Sequence, residues 1–390
     1  MEQSLVVTAQ DTDGLRYGML EPVRQYAIEQ LDQNVEEAEE ARRRHARYYL
    51  ALGERAGLEL KGPQQPMWLG RLETELGNLR AAMGWSIDHG EVEAVARMAW
   101  SSWIFWWLRG HLDEGRRWME EALAKVPDLP DSVRAKLLFV AGTMAQGRFR
   151  WEPARALLEE SLGLFQRLQD EGGAAYPMGG LGLVDLGQGR LEEGISLIEE
   201  ACDLLLKIGH KWPASPMLGF AAAASLSRGD VAHARRLAEK GLSLARQIGA
   251  TDALYITLHA LAAVARAEGD RERAAQLLGE GLTLSAEVED GSSVAYYLEV
   301  LAAIAASEDR LVRAARLWGA AEALLETTEV VAYAHAQDRY SYQGQVTAAR
   351  IRLDQQTWAQ AWAEGRAMTT TKAVAYALGE VPYDDALTRL

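Results

Sequence analysis

The chain has 390 residues, of which 48% are hydrophobic and 25% charged, and it carries a formal net charge of −15. This acidic balance argues against a general phosphate-binding surface, so we do not expect this chain to bind nucleic acid. The single cysteine, Cys202, excludes an internal disulfide. The N-terminus lacks a signal-peptide pattern and no apolar run is long enough to cross a bilayer, so we expect a cytoplasmic protein without membrane contact.

Residues 1–35 differ from the rest of the chain. From Ser4 onward, "SLVVTAQ", "DTDG" and "LRYGML" follow one another, which predicts a β-hairpin. "EPVRQYAIEQLDQ" then predicts a helix with Pro22 in its first turn, where the missing N–H of proline is tolerated. A lone hairpin is marginally stable in water, so we expect this segment to be the last part of a larger domain.

Residues 36–126 predict long amphipathic helices in a loose repeat. The stretches "EEARRRHARYYLALGERAGLEL" and "PMWLGRLETELGNLRAAMGWSID" each fit one helix, and "EVEAVARMAWSSWIFWWLRG" fits the next. On that third helix Trp100, Trp103 and Trp107 share a face, whereas Phe105 and Trp106 point elsewhere. Two interpretations stay open: core between the first two helix pairs, or an aromatic surface that binds a ligand.

A repeat of about 40 residues is regular over residues 127–326, and its first anchor lies just before them. Each anchor is a small residue that is followed three positions later by an apolar residue and seven positions later by another small residue. The anchors are Gly115, Ala154, Gly194, Ala234, Ala274 and Ala314. A second helix precedes each of the later anchors and carries small residues with apolar neighbours, at Gly182, Ala222, Ala262 and Ala302. The pattern predicts an all-α solenoid of helix–turn–helix units, like tetratricopeptide repeats but longer, with a concave surface.

The turn inside most units is marked by a glycine five residues before the anchor. These glycines are Gly110, Gly189, Gly229 and Gly269. They predict a left-handed backbone at the turn, and Phe149 and Asp309 depart from the rule. Asp230 and Asp270 follow two of the glycines and suit the start of a helix.

Residues 327–390 predict about three shorter helices that close the array. The final stretch, "WAQAWAEGRAMTTTKAVAYALGE", contains a break at three threonines, and Thr369 to Thr371 are suited to cap the last helix.

Four quoted stretches resemble one family: "RYGMLEPVRQYAIEQL", "RRRHARYYLALGERA", "WLGRLETELGNLRAAMGWSID" and "WIFWWLRGHLDEGRRWMEEAL". They resemble bacterial regulatory ATPases of the STAND (NB-ARC-like) class, and the resemblance covers almost the whole chain. It implies a P-loop nucleotide module, a winged helix and then a tetratricopeptide array like that of the maltose-regulon activator, in some members with a LuxR-type output domain. Residues 1–35 would then be the C-terminal remnant of the winged helix.

The chain departs from that family where the nucleotide should bind. The nearest match to the P-loop pattern, Gly182–Gly187 followed by Gln188, lacks the required lysine and hydroxyl, and it falls within a repeat. No LuxR-type helix-turn-helix follows the array. We therefore expect the sensor arm of such a regulator without its nucleotide module or output domain, and no cofactor.

No set of residues predicts catalysis. The seven histidines are scattered without a metal-binding spacing, so we expect no metal site and no enzyme. Cys202 occupies an apolar helix position and is expected to be buried and inert. The basic stretch Ala41–Arg47 follows Glu36–Glu40, which supply ion-pair partners one helical turn away.

The concave groove of such arrays, lined by the first helix of each unit, is the expected binding surface. Candidate binding residues are Trp103, Trp106, Trp107, Tyr176, His259, Arg266, Tyr296 and Glu299. The main hypothesis is a protein-interaction arm that binds a partner protein or its own ATPase module. The alternative is a receptor for a small-molecule inducer, bound at residues 100–118 or in the bore of the superhelix.

Overall fold

The computed structural model describes residues 6–11, 14–327 and 339–379. The predicted hairpin is present as strands β1 (Val6–Asp11) and β2 (Gly14–Met19), which pair antiparallel with Val6 opposite Met19. Helix α1 (Glu21–Leu31) follows and has a proline in its first turn, as the sequence predicts. None of its residues is buried, so this segment packs little against the solenoid.

Five helices build the N-terminal part. They are α2 (Val35–Glu59), α3 (Gln65–Thr74), α4 (Leu76–Asp88), α5 (Val92–Leu108) and α6 (Leu112–Lys125). The prediction of a single helix over "PMWLGRLETELGNLRAAMGWSID" is wrong, because the backbone leaves the helical region at Glu75. Helical hydrogen bonds continue on both sides of Glu75. Its backbone N–H donates to the Arg71 oxygen, and its backbone oxygen accepts from the N–H of Leu79. The interruption is thus a one-residue kink, and it lets both halves bury their apolar residues.

Five regular helix pairs form the tetratricopeptide-like solenoid. They are α7 (Asp131–Gly147) and α8 (Trp151–Arg167), α9 (Glu171–Gly187) and α10 (Leu191–Lys207), α11 (Lys211–Ser227) and α12 (Val231–Ile248), α13 (Thr251–Ala267) and α14 (Arg271–Glu287), and α15 (Gly291–Ser307) and α16 (Leu311–Thr327). The first helices start at residues 131, 171, 211, 251 and 291, which confirms the 40-residue unit.

Left-handed residues separate successive helices. The predicted turn glycines have positive φ, and so do the two apparent exceptions, Phe149 (φ 57°) and Asp309 (φ 63°). The joins between units use the same conformation, for example at Gln169 (φ 56°) and Gly249 (φ 69°). The predicted acids at helix starts cap them: Asp230 accepts a hydrogen bond from the backbone N–H of His233.

Small anchor residues let the two helices of a pair come close, as the sequence predicts. At Gly194 on α10 a Cβ would lie 2.8 Å from the backbone oxygen of Gly182 on α9, and the converse distance is 3.0 Å. The two backbones therefore touch, and any larger residue would force them apart. Gly182–Gly187, the nearest match to a phosphate loop, lies inside α9.

The first helix of each regular pair is buried on several sides. Helix α13 buries thirteen of its seventeen residues, whereas its partner α14 buries six. An apolar helix of this kind has neighbours on most of its surface, and an amphipathic one keeps a face in water. The first helices therefore form the interior of the superhelix.

The N-terminal helices close against later repeats. The side chain of Gln65, at the start of α3, exchanges two hydrogen bonds of 2.8 Å with Asp252 of α13, 187 positions away. Arg109, after α5, donates to the Val288 backbone oxygen at 3.2 Å and pairs with Glu289 at 2.6 Å. These contacts join the α2–α3 and α5–α6 connections to the repeats of α13 and α15, so the superhelix closes on itself.

Helices α17 (Arg339–Ile351), α18 (Gln355–Arg366) and α19 (Thr370–Leu378) follow the array. Thr369 caps α19 by accepting a hydrogen bond from the N–H of Lys372 at 3.3 Å, as predicted. Arg316, almost fully buried on α16, pairs with Glu364 of α18 at 2.8 Å and fixes these helices to the last pair. Within the described ranges no helix is both long and apolar enough to span a membrane.

Candidate functional site

An apolar cavity, here called the aromatic chamber, lies among the first helices of successive pairs. Helices α5, α7, α9, α11 and α13 all contribute to its wall, and its volume is about 70 Å³. Large apolar side chains make up most of the wall: Trp103, Trp107, Phe139, Tyr176, Leu183, Trp212, Met217, Phe220 and Ile256. Since first helices line the concave side of such arrays, the chamber lies in the predicted groove.

Trp103 connects the rings of the chamber. Its ring centroid lies 6.1 Å from that of Trp107, 5.9 Å from Phe139 and 5.7 Å from Trp212, with tilted or edge-on geometry. Trp103 is half-buried, while the other three rings are buried. A bound apolar group could therefore contact Trp103 with little rearrangement of the surrounding rings, which hold its orientation.

Two polar side chains of α7 stand out in this apolar wall. The hydroxyl oxygen of Thr143 is buried and has no hydrogen-bond partner among the described residues. Gln146, one turn later, also lines the chamber and is only 3% exposed. A buried polar group without a partner costs about 1–3 kcal/mol, so a bound group that supplies a donor or acceptor here would recover that energy.

Asp252 joins the chamber to the N-terminal helices. One carboxylate oxygen accepts hydrogen bonds from Gln65 Nε2 at 2.8 Å and from the indole N–H of Trp212 at 3.1 Å. Burial raises the pKa of Asp252 to about 6 despite these hydrogen bonds, and the carboxylate of Asp290 adds to the increase. A carboxyl group that ionises near neutral pH therefore holds a wall tryptophan and the α3 segment together.

A lysine and a histidine lie close to the same edge of the chamber. The Lys61 ammonium is 5.7 Å from the centroid of the Trp212 ring, and burial lowers its pKa to about 8. The Tyr176 hydroxyl is 3.1 Å from Nδ1 of His210. Burial lowers the pKa of His210, and the nearby charge of Lys61 lowers it further. This edge can thus supply polar contacts to a ligand whose apolar part enters the chamber.

The structure brings three of the candidate binding residues together. Trp103, Trp107 and Tyr176 all line the aromatic chamber. Trp106 does not line it: its side chain is 2% exposed and packs toward α6, where a Cβ on Gly115 would lie 3.2 Å from its ring. Helical spacing explains this outcome, because position 106 projects away from the face that positions 103 and 107 share.

The other candidates lie outside the chamber. Tyr296 and His259 are buried in α15 and α13, and the His259 ring packs edge-on against Tyr297 with 5.4 Å between centroids. Burial lowers the pKa of His259 to about 4, so it stays neutral. Glu299 is half-buried on α15. Arg266 is exposed and lines a separate cavity.

Sequence reasoning missed Phe139, Thr143, Trp212 and Asp252, although the repeat period carries the signal for such positions. Moving forward from Tyr176 by 40 positions gives Pro216 and then Ile256, and both line the chamber. Thr143 and Leu183 are related in the same way. A comparison of equivalent positions in the first helices would have found this part of the wall.

No family model matches the chain. Proteins of Mycobacterium bovis and Mycobacterium tuberculosis named "Putative HTH-type transcriptional regulator" are 39% identical to it over 124 residues, which is 32% of this chain and 14% of each relative. The matched segment therefore covers about a seventh of the length of those relatives.

Solved structures of helical-repeat proteins are similar to the chain. The apo form of RapI is 12% identical, with a TM-score of 0.51 over 73% of this chain and 97% of that chain. The STAND protein PH0952 of Pyrococcus horikoshii, which has a tetratricopeptide repeat sensor, is 13% identical, with a TM-score of 0.46 over 89% of this chain and 56% of that chain. The similarity to RapI supports the solenoid fold.

Proposed function

We propose that this chain is the non-catalytic sensor arm of a STAND-type transcriptional or signalling regulator. It binds a partner protein, or the ATPase module of its own regulator, through the concave face. The identity of 39% with a segment of longer HTH-type transcriptional regulators supports a place in a regulator of this kind. The solenoid fold supports a binding role, since stacked repeats present an extended concave surface.

The small volume of the aromatic chamber favours a protein partner over a small-molecule ligand. An engineered apolar cavity that binds benzene has a volume of about 150 Å³. The chamber has about 70 Å³, too little for a sugar or an aromatic metabolite as a whole. It suits one aliphatic side chain that projects from a partner segment, and burial of such a side chain contributes roughly 1.5–3 kcal/mol. The partner backbone would then lie across the edge formed by Lys61 and Tyr176, where polar groups are available.

A peptide selection tests this proposal directly. Linear peptides selected on the purified chain should share one Leu, Ile or Met anchor, and their binding should change the fluorescence of the chamber tryptophans. Leu183→Trp, which fills the chamber from its half-buried wall, should weaken binding at least about tenfold. Leu204→Trp is the matched control, because Leu204 is a similarly half-buried leucine on α10 that does not line the chamber.

Other outcomes separate the alternatives. A metabolite that raises the melting temperature of the wild type but not of Leu183→Trp would favour the small-molecule receptor. The unpaired hydroxyl of Thr143 makes that second candidate worth testing. Peptides without a shared apolar anchor, or equal losses in Leu183→Trp and Leu204→Trp, would refute binding through the chamber. If an ATPase module binds this chain in trans, the same two variants test whether the chamber holds that module.

A further inference from the structure

A second cavity, here called the arginine cleft, lies between the α13–α14 turn and the α15–α16 turn, beside the C-terminal end of α19. Its volume is about 420 Å³, roughly six times that of the aromatic chamber at about 70 Å³, and the two share no lining residue. Four arginines line it: Arg266, Arg271, Arg310 and Arg313. Glu308 is the only acidic residue in its described lining.

The cleft is positively charged, whereas the chain as a whole has a net charge of −15. Arg271 is the first residue of α14, and the backbone oxygen of Arg310 accepts the first hydrogen bond of α16, from Ala314. The N-terminal end of a helix carries partial positive charge, so a cation at that position is unfavourable and an anion is favourable. The Asp270 carboxylate already caps the start of α14, so the positive charge of the cleft comes from the four guanidinium groups and the start of α16.

Protein groups satisfy only part of this charge. Arg310 pairs with Glu308. Arg313 donates to the backbone oxygen of Ala377 at 2.8 Å, and its guanidinium lies 5.0 Å from the centroid of the Tyr376 ring. Arg266 and Arg271 are exposed, and neither makes an ion pair or a side-chain hydrogen bond to any residue that the structure describes. The guanidinium groups of Arg266 and Arg271 can therefore donate hydrogen bonds to a ligand.

We propose that the arginine cleft binds a small ligand with at least two anionic groups, either phosphates or carboxylates. Guanidinium groups bind both kinds of anion with paired hydrogen bonds, which explains a preference for arginine over lysine at such a site. One anionic group is bound by Arg266 and Arg271, and the second competes with Glu308 for Arg310. Because the cleft joins the last two repeats to α19, the ligand would stabilise the C-terminal end of the array.

Calorimetric titration of the whole chain with pyrophosphate and with citrate, at constant ionic strength, tests the proposal. Each probe carries several anionic groups of one chemical kind. We expect saturable binding of at least one probe, and a Kd at least about tenfold higher in the double variant Arg266→Gln/Arg271→Gln. Binding of pyrophosphate alone would identify a phosphate ligand, and binding of citrate alone a carboxylate ligand.

The matched control is Arg236→Gln/Arg246→Gln, which removes the same charge from two exposed positions of α12 outside the cleft. It should leave the Kd unchanged, and circular dichroism should show native helix content in both double variants. The proposal is overturned if neither probe binds saturably. It is also overturned if the control loses as much affinity as the cleft variant, since binding would then reflect diffuse charge.

Discussion

The substitution Asp252→Asn tests whether closure of the superhelix depends on the protonation of one buried carboxyl group. Asp252 accepts hydrogen bonds from Gln65 and Trp212 on the same oxygen, and an asparagine oxygen can accept both. Burial raises the pKa of Asp252 from 3.8 to about 6. Asparagine therefore keeps the shape and these two hydrogen bonds but removes the cost of burying a negative charge.

The sign and size of the effect follow from this pKa. A raised pKa means that the native state holds the proton more tightly than the unfolded chain. The resulting stability is fully present below pH 3.8 and is lost as the pH rises through about 6. At about 1.4 kcal/mol per pH unit, the loss amounts to about 3 kcal/mol. The variant should exceed the wild type in free energy of unfolding only slightly near pH 4, by about 2 kcal/mol near pH 5 and by about 3 kcal/mol above pH 7.

Urea unfolding followed by circular dichroism at several pH values between about 4 and 8 measures this difference. Titrating groups that do not interact with Asp252 contribute equally to both proteins and cancel. Asp203→Asn is the control, because the Asp203 side chain is 69% exposed, and its difference from the wild type should stay small at every pH. A difference for Asp252→Asn that does not grow with pH, or a variant less stable than the wild type near pH 7.5, would refute the reasoning.

Three other predictions concern the solenoid. Gln169→Gly should stabilise the chain by about 1 kcal/mol, because Gln169 has φ 56°, whereas Gly189→Ala at φ 80° should destabilise it by a similar amount; thermal unfolding measures both. Gly281→Ala should lower the free energy of unfolding, measured by urea unfolding, by about 1–3 kcal/mol, since the new Cβ would lie 1.9 Å from the Tyr297 hydroxyl oxygen. Gly163→Ala, which has open space around it, should not destabilise the chain. His259, with a pKa of about 4, should stay neutral at pH 5 in an NMR titration, and its stabilising contribution should be lost as the pH falls from about 6.5 to 4; a midpoint near 6.5 would contradict its burial.

Local sequence signals determined the helices and their spacing. Positions three and seven apart lie on one helical face, so the series that includes Ala234 and Ala274 predicts which face packs against the partner helix. Left-handed turns follow from the glycines, and the repeat period extends the same turn to Phe149 and Asp309 even without glycine. A regular repeat needs little long-range information, because each unit contacts mainly its neighbours.

The repeat period marks part of the chamber wall, but the contacts across the chamber depend on tertiary structure. The spacing of Trp103 and Trp107 predicts a shared face, but only the curvature of the superhelix brings that face to Trp212, more than 100 positions later. The contact between Gln65 and Asp252 likewise depends on rotations that accumulate over several repeats, whereas the cleft shared by Arg266 and Arg310 forms between neighbouring repeats. Sequence periodicity fixes each helix pair, whereas the small rotation from one pair to the next, which decides what meets across the superhelix, is set by packing in three dimensions.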